Sequence, residues 1–283
     1  MTLREAFALG KDLLKKANIE EYETDAWLLL EAAANCTRTD LFVRADNPLT
    51  EAQETLYQEY LEKRELRIPL QHILGVQCFC GLDFIVTPDV LCPRLDTEVL
   101  IEEALKRIKP GSKILDMCTG SGCIILTLLH MIKDCTGTGV DLSEKALAVA
   151  KRNAEKLGIE CALIHSDLFE HIEGRYDVII SNPPYIATKE IEALEAEVRI
   201  HEPMMALDGM EDGLFFYRKI VSASVDYLNP EGWLLFEIGY DQGEPVSEMM
   251  KTAGYSQVKV IKDLAGLDRV VVGKLVQEES GNV

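Results

Sequence analysis

The strongest constraint on the fold is an alternation of strand-like and helix-like segments that begins after Asp96-Thr97, a pair typical of a helix start. The strand-like runs are KILDM, GTGVD, CALIH, YDVIIS, WLLFEI, VKVIK and RVVVGK. Helical periodicity follows in GCIILTLLHMI, in EKALAVAKRNAEKLG, and over residues 213–227 and 244–252. Parallel strands need long crossover connections, which are usually helices. The alternation therefore predicts an α/β fold, a parallel sheet covered by helices.

The N-terminal part of the chain has a different pattern. Apolar residues recur at helical spacing up to about Leu74, and two helix starts carry a capping-box signature. These are Thr2 with Glu5 and Thr50 with Gln53. Short apolar runs then meet at Cys80-Gly81-Leu82-Asp83, which predicts a two-stranded hairpin. We expect three parts: a helical domain over 1–74, a hairpin linker over 75–95 and a larger domain over 96–283.

Charge and composition exclude several classes of protein. The chain has 29 Lys and Arg against 48 Asp and Glu, a formal net charge of −19, which opposes direct binding to DNA. The eight cysteines are scattered, and we expect reduced, buried thiols. Cys78 and Cys80 lack the further Cys or His ligands of a zinc site, so no metal is expected. No apolar run is long enough to span a membrane. We expect a cytoplasmic monomer without membrane contact.

A glycine loop after the first strand of the larger domain is a candidate cofactor site. Asp116-Met117-Cys118-Thr119-Gly120-Ser121-Gly122 runs directly into a helix, whose first N–H groups are unpaired. Asp141 ends the next strand about 20 residues later, where a carboxylate can accept both hydroxyls of a ribose. A tight turn, with Asp141 capping the next helix, is the structural alternative. Together the two signals favour a cofactor that contains adenosine.

The most specific motif is Asn182-Pro183-Pro184-Tyr185, directly after the strand YDVIIS. The Asn182 side-chain oxygen and the Pro183 carbonyl can each accept one N–H of a planar NH2 group. The prolines stiffen the backbone and add no competing donor, and Tyr185 can stack on the flat group. Such a group is a poor nucleophile, so the site must orient its lone pair.

Two further features near these motifs have simple structural interpretations. Arg94 lies near a helix start, where it could steer an acidic partner, but we expect it to pair with a nearby carboxylate. The acidic run over residues 190–197 is typical of a solvated helix face, although its place after Tyr185 also suits a mobile flap.

The glycine loop, Asp141 and Asn-Pro-Pro-Tyr resemble a class I S-adenosylmethionine-dependent methyltransferase that acts on an amino group. Other segments narrow the resemblance. They are residues 92–98 (CPRLDTE), 202–203, 206–209, 211–213, 236–239, 242–243, 263–266 and 268–269. In this order, across residues 70 to 273, they resemble the PrmC/HemK family, the protein-(glutamine-N5) methyltransferases of peptide chain release factors.

The resemblance implies a Rossmann-like seven-stranded sheet with an antiparallel last strand, preceded by a helical substrate-recognition domain. It implies methyl transfer from S-adenosyl-L-methionine, with S-adenosyl-L-homocysteine as product, to the glutamine of the Gly-Gly-Gln motif of class I release factors. The implied cofactor residues are Cys118, Thr119, Gly120, Ser121, Gly122, Asp141, Leu142, Asp167, Leu168 and Asn182. The implied substrate residues are Asn182, Pro183, Pro184 and Tyr185, of which Asn182, Pro183 and Tyr185 are catalytic. The family commonly has Gly in place of Cys118 and an aromatic residue in place of Leu168.

Two other functions remain open from the sequence. An adenine-N6 methyltransferase of DNA or RNA can present the same Asn-Pro-Pro-Tyr to a flipped base, but the acidic helical domain argues against a nucleic acid. A non-catalytic module that binds the cofactor or docks a release factor is the second alternative, and the intact Asn182 and Pro183 argue against it.

Overall fold

The computed structural model describes residues 1–276. Its α-helices are α1 (Leu3–Lys16), α2 (Tyr22–Ala34), α3 (Arg38–Val43), α4 (Glu51–Glu65), α5 (Leu70–Leu74), α6 (Glu98–Leu105), α7 (Cys123–Met131), α8 (Glu144–Leu157), α9 (Ala196–His201), α10 (Met204–Leu207), α11 (Phe215–Tyr227) and α12 (Gly243–Thr252). Its strands are β1 (Val76–Phe79), β2 (Leu82–Ile85), β3 (Lys113–Met117), β4 (Thr136–Asp141), β5 (Ala162–His165), β6 (Tyr176–Ser181), β7 (Leu228–Glu237), β8 (Tyr255–Lys262) and β9 (Asp268–Leu275).

The chain divides into two compact units. The helical unit contains residues 1–76 together with residues 195–201, and the sheet unit contains residues 77–194 and the described chain from residue 202 onward. No helix within residues 1–276 is long and apolar enough to cross a membrane.

Three helices of the helical unit, α1, α3 and α4, begin with side-chain caps. The capping boxes predicted at Thr2 and Thr50 are confirmed, and Thr37 with Asp40 forms a third one at α3 that the sequence analysis missed. Trp27 and Tyr57 are buried in the core of the unit, and the Tyr57 hydroxyl donates to the carbonyl of Ala26 at 3.0 Å. Apolar burial and satisfied polar ends therefore hold these short helices together.

The sheet unit has the predicted seven-stranded sheet, in the order β5-β4-β3-β6-β7-β9-β8. The pairs β4/β5, β3/β4, β3/β6 and β6/β7 are parallel, whereas β9 runs antiparallel to both β7 and β8. The expectation of an antiparallel last strand is confirmed. Neighbouring residues on one strand face different cores, since Ile114 packs with Val178 on one face and Leu115 with Ile179 on the other.

The strand order places a crevice at the centre of the sheet. β3 lies between β4 and β6, so the connections leave it in opposite directions. In open α/β sheets, ligands bind beyond the carboxyl ends of the strands at such a switch point. The glycine loop, Asp141 and Asn182 follow β3, β4 and β6 at this place.

The predicted hairpin is present as β1 and β2. Within residues 1–276, these two strands pair only with each other and form a sheet separate from the seven-stranded one. The expectation of buried thiols holds only for Cys92 and Cys123. All eight cysteines are free, but five are partly buried and Cys78 is exposed. Alternation along β1 turns Phe79, the neighbour of Cys78, into the core instead.

The acidic run also differs from the expected single helix face. A 3-10 turn covers Thr188–Ala193 with Ile191 buried, and α9 begins at Ala196. Glu197 is not simply solvated, since its carboxylate accepts hydrogen bonds from Arg64 at 2.9 Å and Arg67 at 3.2 Å within the helical unit.

Candidate active site

A cavity of about 300 Å³ lies beyond the carboxyl ends of β3, β4 and β6. Ten of the predicted site residues line it: Cys118, Thr119, Gly120, Ser121, Asp141, Leu142, Asp167, Leu168, Asn182 and Pro184. The structure therefore brings nine of the ten predicted cofactor residues and part of the Asn-Pro-Pro-Tyr motif to one cavity.

Three predicted residues do not line this cavity. Gly122 starts α7 at φ +79, where a Cβ atom would lie 3.1 Å from Leu126 and 3.2 Å from Ala150. Pro183 is buried, and Tyr185 is partly buried with its hydroxyl 3.5 Å from the Glu237 carboxylate. The roles of these three residues in binding and catalysis stay predictions.

Backbone hydrogen bonds shape the glycine loop around Asp141. The Gly120 N–H donates to one Asp141 carboxylate oxygen and the Ser143 N–H donates to the other, both at 2.8 Å. Burial raises the pKa of Asp141, while these backbone donors lower it. Each carboxylate oxygen has a second lone pair, so Asp141 can still accept a hydroxyl from a ligand. The helix start itself is capped by Ser143, which accepts from the Ala146 N–H at 3.1 Å.

Cys118 has a backbone conformation that usually belongs to glycine. Its φ is +61, in the left-handed region where a Cβ atom is unfavourable. Burial raises the pKa of its thiol, so the side chain stays neutral at the cavity wall. The departure from the family pattern is therefore accommodated with backbone strain.

A buried carboxyl group lies behind the Asn-Pro-Pro-Tyr motif. Glu237 ends β7 and is 1% exposed, and its burial raises its pKa to about 7. The nearby side chains of Thr97, Arg269 and Asn182 lower that pKa. The sequence analysis noted Glu237 only within a family segment. An acidic residue at the carboxyl end of a buried strand is the signal that points to it.

Arg94 has the expected partner. Its guanidinium donates to the buried carboxylate of Glu202 at 2.7 Å, although Glu202 lies 108 residues away along the chain. Burial raises the pKa of Glu202 and the charge of Arg94 lowers it. This pair joins two parts of the cavity wall, since the cavity is lined by Arg94 and by Pro203, the residue that follows Glu202.

Sequence reasoning missed two structural contributions to the cavity. The chain leaving the hairpin, predicted only as a linker, lines it with Pro88, Asp89, Val90, Leu91 and Pro93. The buried Asn153 of α8 fixes this chain to the glycine loop. Its amide donates to the carbonyls of Ile85 at 3.0 Å and Ser121 at 2.9 Å, and accepts from the Ile85 N–H at 2.6 Å.

The lining of the cavity fits S-adenosyl-L-methionine, a ligand with a cationic sulfonium group. Asp89, Asp141 and Asp167 supply carboxylates, and Val140 and Phe216 supply apolar surface. Gly120, at φ +56, has no atom within 4 Å of where a Cβ atom would stand. The loop thus leaves open space beside the carboxylates, as a cradle for a ligand requires. No cluster of three or more His, Cys, Asp and Glu residues able to hold a metal occurs in residues 1–276.

Comparison with known proteins identifies the family. The chain is 44% identical over 275 residues to the release factor glutamine methyltransferase of Geobacter sulfurreducens, covering 97% of each chain. This chain belongs to the release factor glutamine methyltransferase family. A second family member, from Caulobacter vibrioides, is 41% identical over 278 residues and 96% of each chain.

Two family models support the family assignment in separate parts of the chain. A family model described as the PrmC N-terminal domain matches residues 5–75, and one described as the methyltransferase small domain matches residues 87–208. The fold is that of a solved methyltransferase from Pyrococcus furiosus, with a TM-score of 0.56 and 20% identity over 76% of this chain and all of that one. As a release factor glutamine methyltransferase family member, the chain is an S-adenosyl-L-methionine-dependent methyltransferase.

Proposed function

We propose that this enzyme methylates the side-chain nitrogen of the glutamine in the Gly-Gly-Gln motif of class I peptide chain release factors. The observation that carries the proposal is the position of Asn182. It follows β6 and lines the same cavity as the glycine loop and Asp141. An acceptor held by Asn182 would therefore lie in the cavity that holds the methyl donor.

The cofactor would lie along the carboxyl ends of β3 and β4. S-adenosyl-L-methionine supplies an electrophilic methyl group on its sulfonium when bound. Residues 118–122 would hold its methionine part, Asp141 and Leu142 its ribose, and Asp167 and Leu168 its adenine. The carboxylates of the wall favour the positive charge, because opposite charges attract strongly where water is excluded.

Asn182 and Pro183 would orient the acceptor amide. The Asn182 side-chain oxygen accepts one N–H of the substrate amide, and the Pro183 carbonyl accepts the other. The amide N–H groups become more acidic as their nitrogen gains positive character, so both hydrogen bonds strengthen in the transition state. Tyr185 would pack against the flat amide, and Pro184 would complete the wall. Positioning alone can lower such a barrier by several kcal/mol.

We further propose that residues 1–74 recognise the release factor, that residues 75–95 link the two parts and that residues 96–283 perform the transfer. The enzyme would act as a monomer in the cytoplasm, where release factors work. The formal net charge of −19 supports a protein substrate rather than a nucleic acid.

Transfer of labelled methyl from S-adenosyl-L-methionine tests the proposed function. The acceptors are a purified class I release factor, the same factor with alanine in place of the Gly-Gly-Gln glutamine, and duplex DNA. We expect label on the unaltered factor only. Label on the DNA would replace the proposal with adenine methylation. Label on no acceptor, with measurable cofactor binding, would favour a non-catalytic module.

A further inference from the structure

The side chain of Gln242 joins three loops at the carboxyl edge of the sheet. Its amide nitrogen donates to the carbonyl of Tyr185 at 2.9 Å and to that of Gly213 at 3.2 Å. Its oxygen accepts from the Gly239 N–H at 2.9 Å. Both N–H groups of the amide are used, and the residue is 8% exposed. A buried amide with this set of partners fixes the relative positions of the three loops.

The main chain of the acceptor segment (Asn182, Pro183, Pro184 and Tyr185) has hydrogen-bonded neighbours at both ends. The first end follows Ser181, which pairs with Met117 in the sheet and donates its hydroxyl to the Met117 carbonyl at 2.6 Å. The two prolines in the middle carry no N–H. Gln242 holds the other end, at the carbonyl of Tyr185.

Two glycines pack closely against the main chain of Tyr185. A Cβ atom at Gly209 would lie 2.8 Å from the Cα and carbonyl carbon of Tyr185. A Cβ atom at Gly213 would lie 2.4 Å from the Tyr185 carbonyl oxygen and 2.8 Å from the Gln242 amide nitrogen. The main chain of Tyr185 therefore has little room to move while this amide is in place.

We propose that Gln242 is a positioning residue for methyl transfer, which sets the place of the acceptor segment by holding the backbone of Tyr185. The proposal rests on the proposed role of that segment in receiving the glutamine amide. Without the amide donors, the carbonyls of Tyr185 and Gly213 lack these partners, and Tyr185 shifts to find others. A shift of about 1 Å in the acceptor segment can lower the rate about 100-fold.

This role separates turnover from cofactor binding. Gln242 and its partners Tyr185, Gly213 and Gly239 do not line the cofactor cavity, as far as residues 1–276 form its wall. Loss of the amide donors should therefore reduce the rate of transfer and leave the affinity for S-adenosyl-L-homocysteine unchanged.

The decisive variant is Gln242→Glu, which keeps the shape and one acceptor oxygen but removes both donors. We expect kcat for release factor methylation to fall about 30- to 100-fold, with the Kd for S-adenosyl-L-homocysteine within about threefold of wild type. The matched control is Gln77→Glu in the hairpin, outside the proposed binding and catalytic residues. The Gln77 amide also donates to a backbone carbonyl, that of Cys78 at 2.9 Å. This control should keep kcat within about twofold.

Gly209→Ala is a second test of whether the position of the Tyr185 main chain sets the rate. It also covers the case in which Gln242→Glu does not fold. The added methyl group presses on the Tyr185 main chain, so the same split between kcat and cofactor affinity is expected. The control Gly232→Ala places a Cβ atom 2.8 Å from the Asn229 carbonyl at the far end of β7. It adds similar crowding away from the acceptor segment and should leave kcat within about twofold.

Two results would overturn the proposal: kcat within threefold of wild type in both Gln242→Glu and Gly209→Ala, or a loss of cofactor affinity as large as the loss of kcat. Hydrogen exchange gives a readout that does not require release factor methylation. The Ile186 N–H donates to the Leu207 carbonyl at 3.1 Å directly after the segment, and we expect its exchange to accelerate at least tenfold in Gln242→Glu. Unchanged exchange would contradict the proposal, whereas an inactive wild type would contradict only the proposed function.

Discussion

At the residue scale, Asn182 is the side chain on which the proposed chemistry depends most directly. Asn182→Ala removes the side-chain oxygen that accepts a hydrogen bond from the substrate amide and leaves the glycine loop and Asp141 intact. We therefore expect kcat to fall about 100-fold or more. The Kd for S-adenosyl-L-homocysteine, measured by calorimetry, should change less than about threefold. Asn229→Ala is the control, because the Asn229 amide donates to Asp177 at 2.8 Å at the opposite end of β7. An equal loss of turnover and cofactor affinity would contradict the assigned role.

Glu237 gives a second prediction, which concerns the dependence of stability on pH. The pKa of Glu237 is raised from 4.5 to about 7 by burial, so the folded chain holds this proton more tightly than the unfolded chain. Its contribution to stability is therefore present below pH 4.5 and is lost as the pH rises to about 7. Glu237→Gln removes this loss. As the pH rises over that range, the free energy of unfolding of the variant should increase relative to that of wild type by up to about 3 kcal/mol.

Urea denaturation at a series of pH values measures the difference. The exposed Glu231→Gln is the control for removal of one negative charge from the same strand, where Glu231 pairs with Lys274. A constant difference between Glu237→Gln and wild type from pH 4.5 to pH 7.5 would show that Glu237 does not carry this effect. Asp116, whose pKa burial raises to about 7, adds a similar trend to both proteins and cancels in the comparison.

At the element scale, Asn153 joins α8, the hairpin and the glycine loop through three hydrogen bonds. Asn153→Ala leaves the partly buried N–H and carbonyl of Ile85 and the buried carbonyl of Ser121 without this partner. We expect a loss of about 2 to 4 kcal/mol in the free energy of unfolding, since each unsatisfied buried group costs about 1 to 3 kcal/mol. The glycine loop should also loosen, so the Kd for S-adenosyl-L-homocysteine should rise about 10-fold.

Urea denaturation and calorimetry on the same samples check both parts of this prediction, with Asn229→Ala as the matched control. A stability loss without a change in cofactor affinity would show that Asn153 supports only the hairpin.

Sequence patterns predicted most elements because the buried strands have distinctive sequences. KILDM coincides with β3 and YDVIIS with β6, since strands covered on both faces are nearly continuous apolar runs. WLLFEI gave only the end of β7, which extends back to Leu228 across Asn229, Pro230, Glu231 and Gly232, residues typical of turns. The short helix α3 was missed, because six residues are too few to show a helical period.

The candidate site was predictable where its residues follow directly after predicted strands. The glycine loop, Asp141 and Asn182 follow strand ends, so the strand order alone brings them together. Asn153, Gln242 and Gly209 act through contacts with distant residues, and no local pattern indicates such contacts. Arg94 was expected to pair with a carboxylate, but only the tertiary structure shows that Glu202 is its partner.

At the scale of the whole molecule, a buried ion-pair network holds the helical unit together. Arg64 is 5% exposed and donates to Asp25 at 2.6 Å and to Glu197 at 2.9 Å. Arg64→Ala leaves Asp25 as a buried charge without its partner. Burial already raises the pKa of Asp25 in the wild-type protein. We expect the helical unit to lose about 3 to 5 kcal/mol of stability. Arg4→Ala, which breaks the exposed pair with Asp46, should cost less than about 1 kcal/mol.

The two tryptophans allow each unit to be followed separately. Trp27 is buried in the helical unit, and Trp233 packs in the sheet unit. In a Trp233→Phe background, fluorescence during urea denaturation reports Trp27 alone. Arg64→Ala should lower the midpoint of this transition, and the matching Trp27→Phe background should show a smaller change at Trp233. Equal shifts in both backgrounds would mean that Arg64 does not act within the helical unit alone.

The discontinuous helical unit has a consequence for the order of events during protein synthesis. Residues 1–76 leave the ribosome first, but Glu197 is made roughly 120 residues later, on the order of 6 to 24 s at usual elongation rates. During that interval Arg64 and Arg67 lack the carboxylate of Glu197. The ion-pair network of the helical unit can therefore be completed only after the Asn-Pro-Pro-Tyr segment has been made.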